Sequence, residues 1–278
     1  MRKLRFCSDS ASDILALPGS DFAFAPMKII TADREFTDDS SLDTEEMTEF
    51  LNSYKGRSRT SCPNPNDWLA AFGDADDVVC ITITGALSGS YNAACTARQL
   101  YESDHPGRRV FVLDTLSAGP VMTLLIHHLA KIHREGASFE ALCDEAVRYL
   151  KSTSLVFMLR SLKNFANNGR VSPLVAKIVG IAGICIVGKA GDGGTLEPLH
   201  KCRGEVKSLS VLFVEQKKMG YNGGRVLIGH CRNSEAATRL REDIRKEFPE
   251  AEIEIHKLRG LCSFYAENGG LLVGFERK

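Results

Sequence analysis

The chain has 278 residues, enough for two ordinary domains, and its composition of 44% hydrophobic and 25% charged residues is that of a globular protein with a substantial core. Its 35 basic and 35 acidic side chains cancel, which argues against nucleic acid as the main partner, because phosphate binding needs a basic surface. Its nine cysteines show no CxxC spacing, which predicts free thiols in a reducing compartment and no zinc site.

Neither a secretory signal nor a membrane span is predicted. The first nine residues contain no long apolar stretch and turn acidic at once. The longest apolar run, 178–188, is too short to cross a bilayer and contains three glycines. We therefore expect a cytoplasmic protein without stable membrane insertion.

The first half of the chain alternates short apolar runs with helical patterns, which is typical of βαβ units and a mainly parallel sheet. The predicted strands span residues 4–7, 22–30 and 34–37 (as a hairpin), 77–82 and 110–113. The predicted helices span residues 44–54, 65–72, 91–101, 121–134 and 139–151. Thr60 to Pro65 is expected to be irregular, because two prolines lie so close together.

A second block begins near residue 154, so we expect two α/β domains, 1–153 and 154–278. Its predicted strands span residues 155–158, 184–189, 196–201, 225–229, 253–258 and 271–275. Its predicted helices span residues 160–167, 173–180, 205–219 and 234–248. Gly169 suits the left-handed end of the first of these helices, and the Arg170 that follows is either a surface side chain or one that faces a ligand.

Three loops in the first block follow a strand, carry small hydroxyl residues and precede a helix: 8–10, 87–90 and 115–119. In a parallel sheet such loops share the carboxyl edge, where α/β proteins bind ligands. Free N–H groups of the following helix, glycine backbone and hydroxyl donors together make a seat for a carboxylate or phosphate. Thr60 and Ser61 precede a proline-capped helix in the same way. The alternative is that each serine only caps its own helix.

A catalytic motif is hard to find. Ser88 does not lie in a GxSxG elbow, and no Walker GxxxxGK[ST] loop is present. An enzyme acting on a small carboxylated or phosphorylated metabolite, with Ser88 in a chemical role, remains the alternative to a binding protein, since this fold class often hosts catalysis. A pure interaction or regulatory protein is a third possibility, but it would leave the hydroxyl loops without a ligand.

The apolar run 175–187 is either plain core or the lining of a slot between the domains. An anion seat beside an apolar slot would suit an amphiphile such as a fatty acid.

Five motifs in order carry a family resemblance that covers nearly the whole chain. They read SDSASDI at 8–14, TSCPNP at 60–65, LSGSYNAA at 87–94, DTLSAG at 114–119 and NGRVS at 168–172. These are similar to SDSxxDL, TSxPSP, LSGTYxSA, DSxxxSxG and GGRIS of the DegV family of bacterial fatty-acid-binding proteins, which the chain resembles.

The resemblance implies a two-domain carrier that is not an enzyme and needs no cofactor. The acyl chain of a long-chain fatty acid would be buried between the domains, with domain 1–153 carrying the carboxylate loops and domain 154–278 covering the chain. A separate fatty-acid kinase would phosphorylate the presented carboxylate, and the acyl phosphate would feed phospholipid synthesis. The hydroxyls of Thr60 and Ser88 would hold the carboxylate. The ligand-binding residues expected in full are Thr60, Ser61, Ser88, Gly89, Ser90, Ser117, Arg170 and Tyr265.

Two segments depart from the family pattern. Where the family has HxGPGxxG, this chain has 263–270 without a histidine, and Tyr265 or Glu267 falls in its place. A carboxylate there would repel the fatty-acid head unless one of the two were protonated. The family's IKPxL segment is replaced by Ile184 to Gly188.

Overall fold

The computed structural model describes residues 2–171 and 183–277. Its strands are Leu4–Asp9 (β1), Phe22–Ala25 (β2), Lys28–Ile30 (β3), Glu35–Thr37 (β4), Arg59–Ser61 (β5), Asp77–Thr82 (β6), Arg109–Asp114 (β7), Thr153–Leu159 (β8), Ile184–Ala190 (β9), Leu196–Arg203 (β10), Val226–His230 (β11), Ile253–Lys257 (β12) and Leu271–Glu276 (β13). Its helices are Thr44–Ser53 (α1), Pro65–Phe72 (α2), Ser90–Asp104 (α3), Pro120–Arg134 (α4), Phe139–Lys151 (α5), Lys163–Asn167 (α6), Glu205–Lys218 (α7), Ser234–Glu247 (α8) and Gly260–Ala266 (α9). The predicted helix 173–180 lies outside the described residues.

The first sheet has the order β2-β1-β6-β7, and all its neighbouring strands are parallel. Every residue of β6 is buried, since the sheet has helices on both faces. Val78 and Cys80 pack with α2 and α3, whereas Val79 and Ile81 point to the opposite face, against α4 and α5. The predicted α/β class and the parallel N-terminal sheet are therefore confirmed.

The second sheet has the order β10-β9-β8-β13-β11-β12, and it is antiparallel except for β11 and β12. Side chains of β8 alternate between its two faces. Val156 and Met158 join the core under α7 and α8, while Phe157 and Leu159 join an apolar cluster on the other face. That second face is turned toward the first sheet, because α4 packs against β8, β11 and β13.

A third, small sheet of β4, β3 and β5 corrects two expectations. The predicted strand 22–30 is broken near Pro26: Phe22–Ala25 extends the parallel sheet, and only Lys28–Ile30 pairs with Glu35–Thr37. The segment from Thr60 is not wholly irregular, because β5 pairs antiparallel with β3 and places Thr60 opposite Ile29. Proline has no backbone N–H to donate to a neighbouring strand, and the first proline here is residue 63. The two residues before Cys62 therefore keep their N–H groups and are free to pair.

Residues 260–266 form a helix that the sequence did not lead us to predict. Asp38, fully buried, accepts hydrogen bonds from the first two amides of this helix, Gly260 N (3.0 Å) and Leu261 N (2.9 Å). A carboxylate from a distant segment thus satisfies the helix N-terminus, a pairing that no local pattern reveals. Within the described ranges, no helix has the length and apolarity needed to cross a membrane.

Candidate functional site

A cavity of about 300 Å³ lies between the carboxyl edge of the parallel sheet and the inner face of the mixed sheet. That size is within the range of small-molecule sites. Hydroxyl side chains gather around Thr60 and Ser88, and most of the remaining lining is apolar. The only charged side chains among the described lining residues are Arg170 and Lys189, so no carboxylate lines the described wall.

The apolar wall comes from strand positions that share one face. Leu155, Phe157 and Leu159 are alternate residues of β8, and Leu196 and Leu272 extend the same surface. The predicted slot residues 183–187 do not line the cavity, and 175–182 lie outside the described residues. The alternation of β8 was the sequence signal for this wall, but it was masked because both faces of the strand are buried and apolar.

Thr60 is held from two sides by the C-terminal half of the chain. Its hydroxyl lies 2.8 Å from the Tyr265 hydroxyl, and its backbone N–H donates to Asn168 Oδ1 at 3.3 Å. Asn168 Nδ2 in turn donates to the Ser58 carbonyl at 3.2 Å. The sequence had singled out the motif around Asn168 but not this role for its amide, which clamps β5 in place.

The Ser88 loop lies directly beside the Thr60 segment. A Cβ added at Gly89 would sit only 3.1 Å from Cys62 Sγ, so the Gly89 backbone packs against the Cys62 side chain. Ser90 N donates to Ser88 Oγ at 3.3 Å, which orients that hydroxyl at the start of α3. Thr60 and Ser88 are thus brought to one end of the cavity from different sheets.

Arg170 reaches this end from the close of α6. Gly169 is in the left-handed region (φ 70°) and bonds Ala166 O, while Arg170 N bonds Phe165 O, which together form a Schellman motif. The guanidinium donates from Nε to the Leu87 carbonyl (3.1 Å) and from Nη1 to the Asn168 carbonyl (2.7 Å). A fixed positive charge therefore faces the Ser88 loop, where it would attract an anion.

Seven of the eight predicted ligand-binding residues line the cavity; Ser90 does not. The Ser90 hydroxyl is buried and donates to Asp9 Oδ2 at 2.7 Å. The first hydroxyl loop is likewise occupied elsewhere: Ser8 Oγ pairs with Ser12 Oγ, and Ser10 Oγ accepts from Met27 N. These hydroxyls make hydrogen bonds within the protein, and none of the four serines lines the cavity.

Of the two candidates for the missing histidine position, the structure brings only Tyr265 to the cavity. Its ring packs against Phe165, tilted by 37° with 4.6 Å between centroids, and burial raises the pKa of its hydroxyl. Glu267 points away and accepts from Asn164 N at 3.0 Å, at the start of α6. Glu267 does not line the cavity and so is not placed to repel an anion there.

Asp9 is a positioning residue that the motif SDS contained but that sequence reasoning did not single out. It is fully buried, accepts from Ile83 N (2.9 Å) and from the Ser90 hydroxyl, and so ties the loop before α3 to β1. Burial is the main cause that raises the pKa of Asp9 to about 7, and the nearby Asp38 carboxylate adds to the rise.

This raised pKa predicts a pH-dependent stability. Unfolded Asp titrates near ~4, so between about pH 4 and 7 the folded protein binds the extra proton and the free energy of unfolding falls as pH rises. Asp9→Asn is expected to remove a decline on the order of a few kcal/mol, measured by urea unfolding from pH 4 to 8. The exposed Asp33→Asn is the control. Parallel pH profiles for wild type and Asp9→Asn would contradict the prediction.

The surroundings of Ser88 do not support a nucleophile. Within residues 2–171 and 183–277, its hydroxyl has a hydrogen bond only with Ser90 N, and no histidine or carboxylate partner reaches it. The buried Asp9 carboxylate is engaged by the Ser90 hydroxyl. A serine needs a neighbouring base to take its proton before it can attack a substrate, and the described residues supply none, so the alternative of an enzyme has no support from this geometry.

Comparisons with known proteins point to one family. The model of the family described as "Uncharacterised protein, DegV family" matches residues 3–278. A DegV domain-containing protein of Streptococcus pneumoniae is 41% identical over 276 residues, 98% of each chain. The structure of the Streptococcus pneumoniae Fatty Acid Kinase (Fak) B3 protein, loaded with linoleic acid, has a TM-score of 0.97 at 41% identity and covers 99% of this chain and 100% of its own.

A DegV family protein from Eubacterium eligens, loaded with heptadecanoic acid, has a TM-score of 0.96 at 40% identity, covering 99% of this chain and 100% of its own. The family match spans almost the entire chain, and the curated relative is aligned over nearly its full length. The chain therefore belongs to the DegV family.

Proposed function

We propose that this protein binds a long-chain fatty acid, with its carboxylate on Thr60 and Ser88 and its tail along the apolar wall of the cavity. One observation carries the proposal: the same cavity has a hydroxyl-rich end, where Arg170 lies, and an apolar wall. That wall is formed by Leu155, Phe157 and Leu159. An amphiphile with one anionic end matches both parts. Related chains of known structure hold linoleic and heptadecanoic acid.

We further propose that the carboxylate is presented to a separate fatty-acid kinase in the cytoplasm, which would make an acyl phosphate for phospholipid synthesis. Ser61 and Gly89 are exposed at the hydroxyl end, so that end of the cavity meets the surface. Arg57 and Arg59 are exposed just before Thr60 and make this rim positive, which suits the approach of a phosphate donor. The name of one relative refers to a fatty-acid kinase.

Lipid extraction and native mass spectrometry of the purified protein test the binding step. We expect a co-purifying acyl chain, or uptake of added stearic or oleic acid with one molecule per chain. Absence of both would refute the proposal. The presentation step is tested by adding a fatty-acid kinase and ATP to the loaded protein and measuring acyl phosphate, with the unloaded protein as control. Binding without acyl phosphate formation would leave a carrier that does not serve that kinase.

A further inference from the structure

We propose that Asn168 is a positioning residue that aligns two groups at the hydroxyl end of the cavity, the Thr60 hydroxyl and the Arg170 guanidinium. Through them it sets the preference of the site for an ionised head over a neutral one. Asn168 is not among the described residues that line the cavity, so it acts through these two groups. The inference rests on the proposed function and adds what selects the head of the bound lipid.

The side chain of Asn168 closes the open edge of strand β5. In the described structure that strand pairs only with β3, which leaves the backbone groups on its other side without a strand partner. Asn168 Oδ1 accepts from Thr60 N at 3.3 Å, and Asn168 Nδ2 donates to the Ser58 carbonyl at 3.2 Å. One residue of a parallel neighbouring strand would bond the same two groups, so the amide takes the place of a strand beside Thr60.

A third hydrogen bond keeps this amide from turning away. Asn168 Nδ2 also donates to the Asn164 carbonyl at 2.9 Å, within helix α6. The amide oxygen and both amide hydrogens can thus be engaged in one orientation of the side chain. The Thr60 hydroxyl, which lies 2.8 Å from the Tyr265 hydroxyl, therefore projects from a backbone that is held on both edges, by β3 on one side and by Asn168 on the other.

The backbone of Asn168 directs the second group. Its carbonyl accepts from Arg170 Nη1 at 2.7 Å, while the Leu87 carbonyl accepts from Arg170 Nε at 3.1 Å. Because the side chain of Asn168 anchors the residue to β5, it also fixes the position of this carbonyl. One residue therefore sets the placement of the Thr60 hydroxyl and of the Arg170 guanidinium relative to each other.

Such alignment matters more for an ion than for a neutral head. Hydrogen bonds from a hydroxyl or a guanidinium to a carboxylate are about twice as strong as those to a neutral group, and all hydrogen bonds weaken as the donor turns away. A long-chain alcohol has the same tail as the acid but offers no charge to Arg170. Misplacing Thr60 and Arg170 should therefore weaken binding of the acid far more than binding of the alcohol.

The test measures equilibrium binding of oleic acid and of oleyl alcohol to wild type, Asn168→Ala and Asn167→Ala. We expect Asn168→Ala to lower the affinity for oleic acid about tenfold, which is the equivalent of one hydrogen bond to a charged group, and to change the affinity for oleyl alcohol by less than about twofold. Asn167→Ala is the matched control, because Asn167 is the exposed neighbour on α6 and is not among the described lining residues. It should bind both lipids as wild type does.

A double-mutant cycle separates positioning from a general loosening of the fold. In a Thr60→Ala background the hydroxyl to be positioned is gone, so adding Asn168→Ala should weaken oleic acid by less than about threefold. Losses that simply add in the double variant would overturn the proposal. Equal losses for the acid and the alcohol in Asn168→Ala, or an unchanged affinity for the acid, would overturn it as well.

Hydrogen exchange of the wild-type protein gives a test that does not depend on the folding of a variant. Without ligand, the Thr60 amide should exchange at least about tenfold more slowly than the amide of the exposed Arg57, because Asn168 covers it. Equal rates would overturn the positioning role alone. A wild type that binds neither oleic acid nor oleyl alcohol would overturn the proposed function and this inference together, so the two failures are distinguishable.

Discussion

Replacing Thr60 and Ser88 together by alanine is expected to weaken fatty-acid binding by about 100-fold or more. A hydrogen bond to a charged group contributes roughly 1.5–3 kcal/mol, and each factor of ten in affinity corresponds to about 1.4 kcal/mol. The carboxylate would lose both hydroxyl partners in a half-buried place and keep Arg170, the Tyr265 hydroxyl and the amides at the start of α3. Isothermal titration with oleic acid measures the change.

The control pair is Thr96→Ala with Ser210→Ala. Both hydroxyls are exposed on helices and donate to carbonyls of their own helix, Thr96 to Asn92 O (3.0 Å) and Ser210 to Val206 O (3.1 Å). These variants remove the same two groups far from the cavity, and we expect their affinity to equal that of wild type. If the Thr60 and Ser88 double variant also binds normally, the carboxylate lies elsewhere and the assignment is wrong.

The hydroxyl loops could be predicted from sequence because their signal is local. A strand, a glycine and a serine before a helix specify the position of Ser88 at the carboxyl edge of a parallel sheet, and the structure has it there. The same holds for Gly169, whose left-handed conformation ends α6 where the pattern placed it. Such features depend on neighbours in the chain, which the sequence displays directly.

The partners of these residues could not be predicted because they come from distant segments. Tyr265 meets Thr60 across 205 positions, and Asp38 caps a helix that begins 222 residues later. The prediction of the cavity wall failed for another reason. Strand β8 is apolar on both faces, so the hydropathy of its sequence does not show the period of two. The run 175–187 was the more conspicuous apolar stretch, yet its described residues do not line the cavity.

Gly194→Ala is expected to lower the free energy of unfolding by about 2–4 kcal/mol, a fall in Tm on the order of 10 °C. Gly194 has φ 74°, and an added Cβ would overlap Thr84 Oγ1 and lie 3.0 Å from Leu116 Cα. Its carbonyl accepts from Thr84, so the turn between β9 and β10 is fixed to the loop that precedes Ser88. Moving this turn would open the cavity, and fatty-acid affinity should fall together with stability.

Gly193→Ala separates this effect from a general cost of changing the turn. Gly193 is exposed, its φ is not positive, and an added Cβ would meet nothing within 4 Å. Alanine there should leave Tm and affinity unchanged, or raise Tm slightly by restricting the unfolded chain. The two variants add the same methyl group to adjacent residues, so a difference between them reports the contact with Thr84. Equal Tm values would mean that the turn does not close the cavity, and the wall near Lys189 would then be free to move without loss of the bound acid.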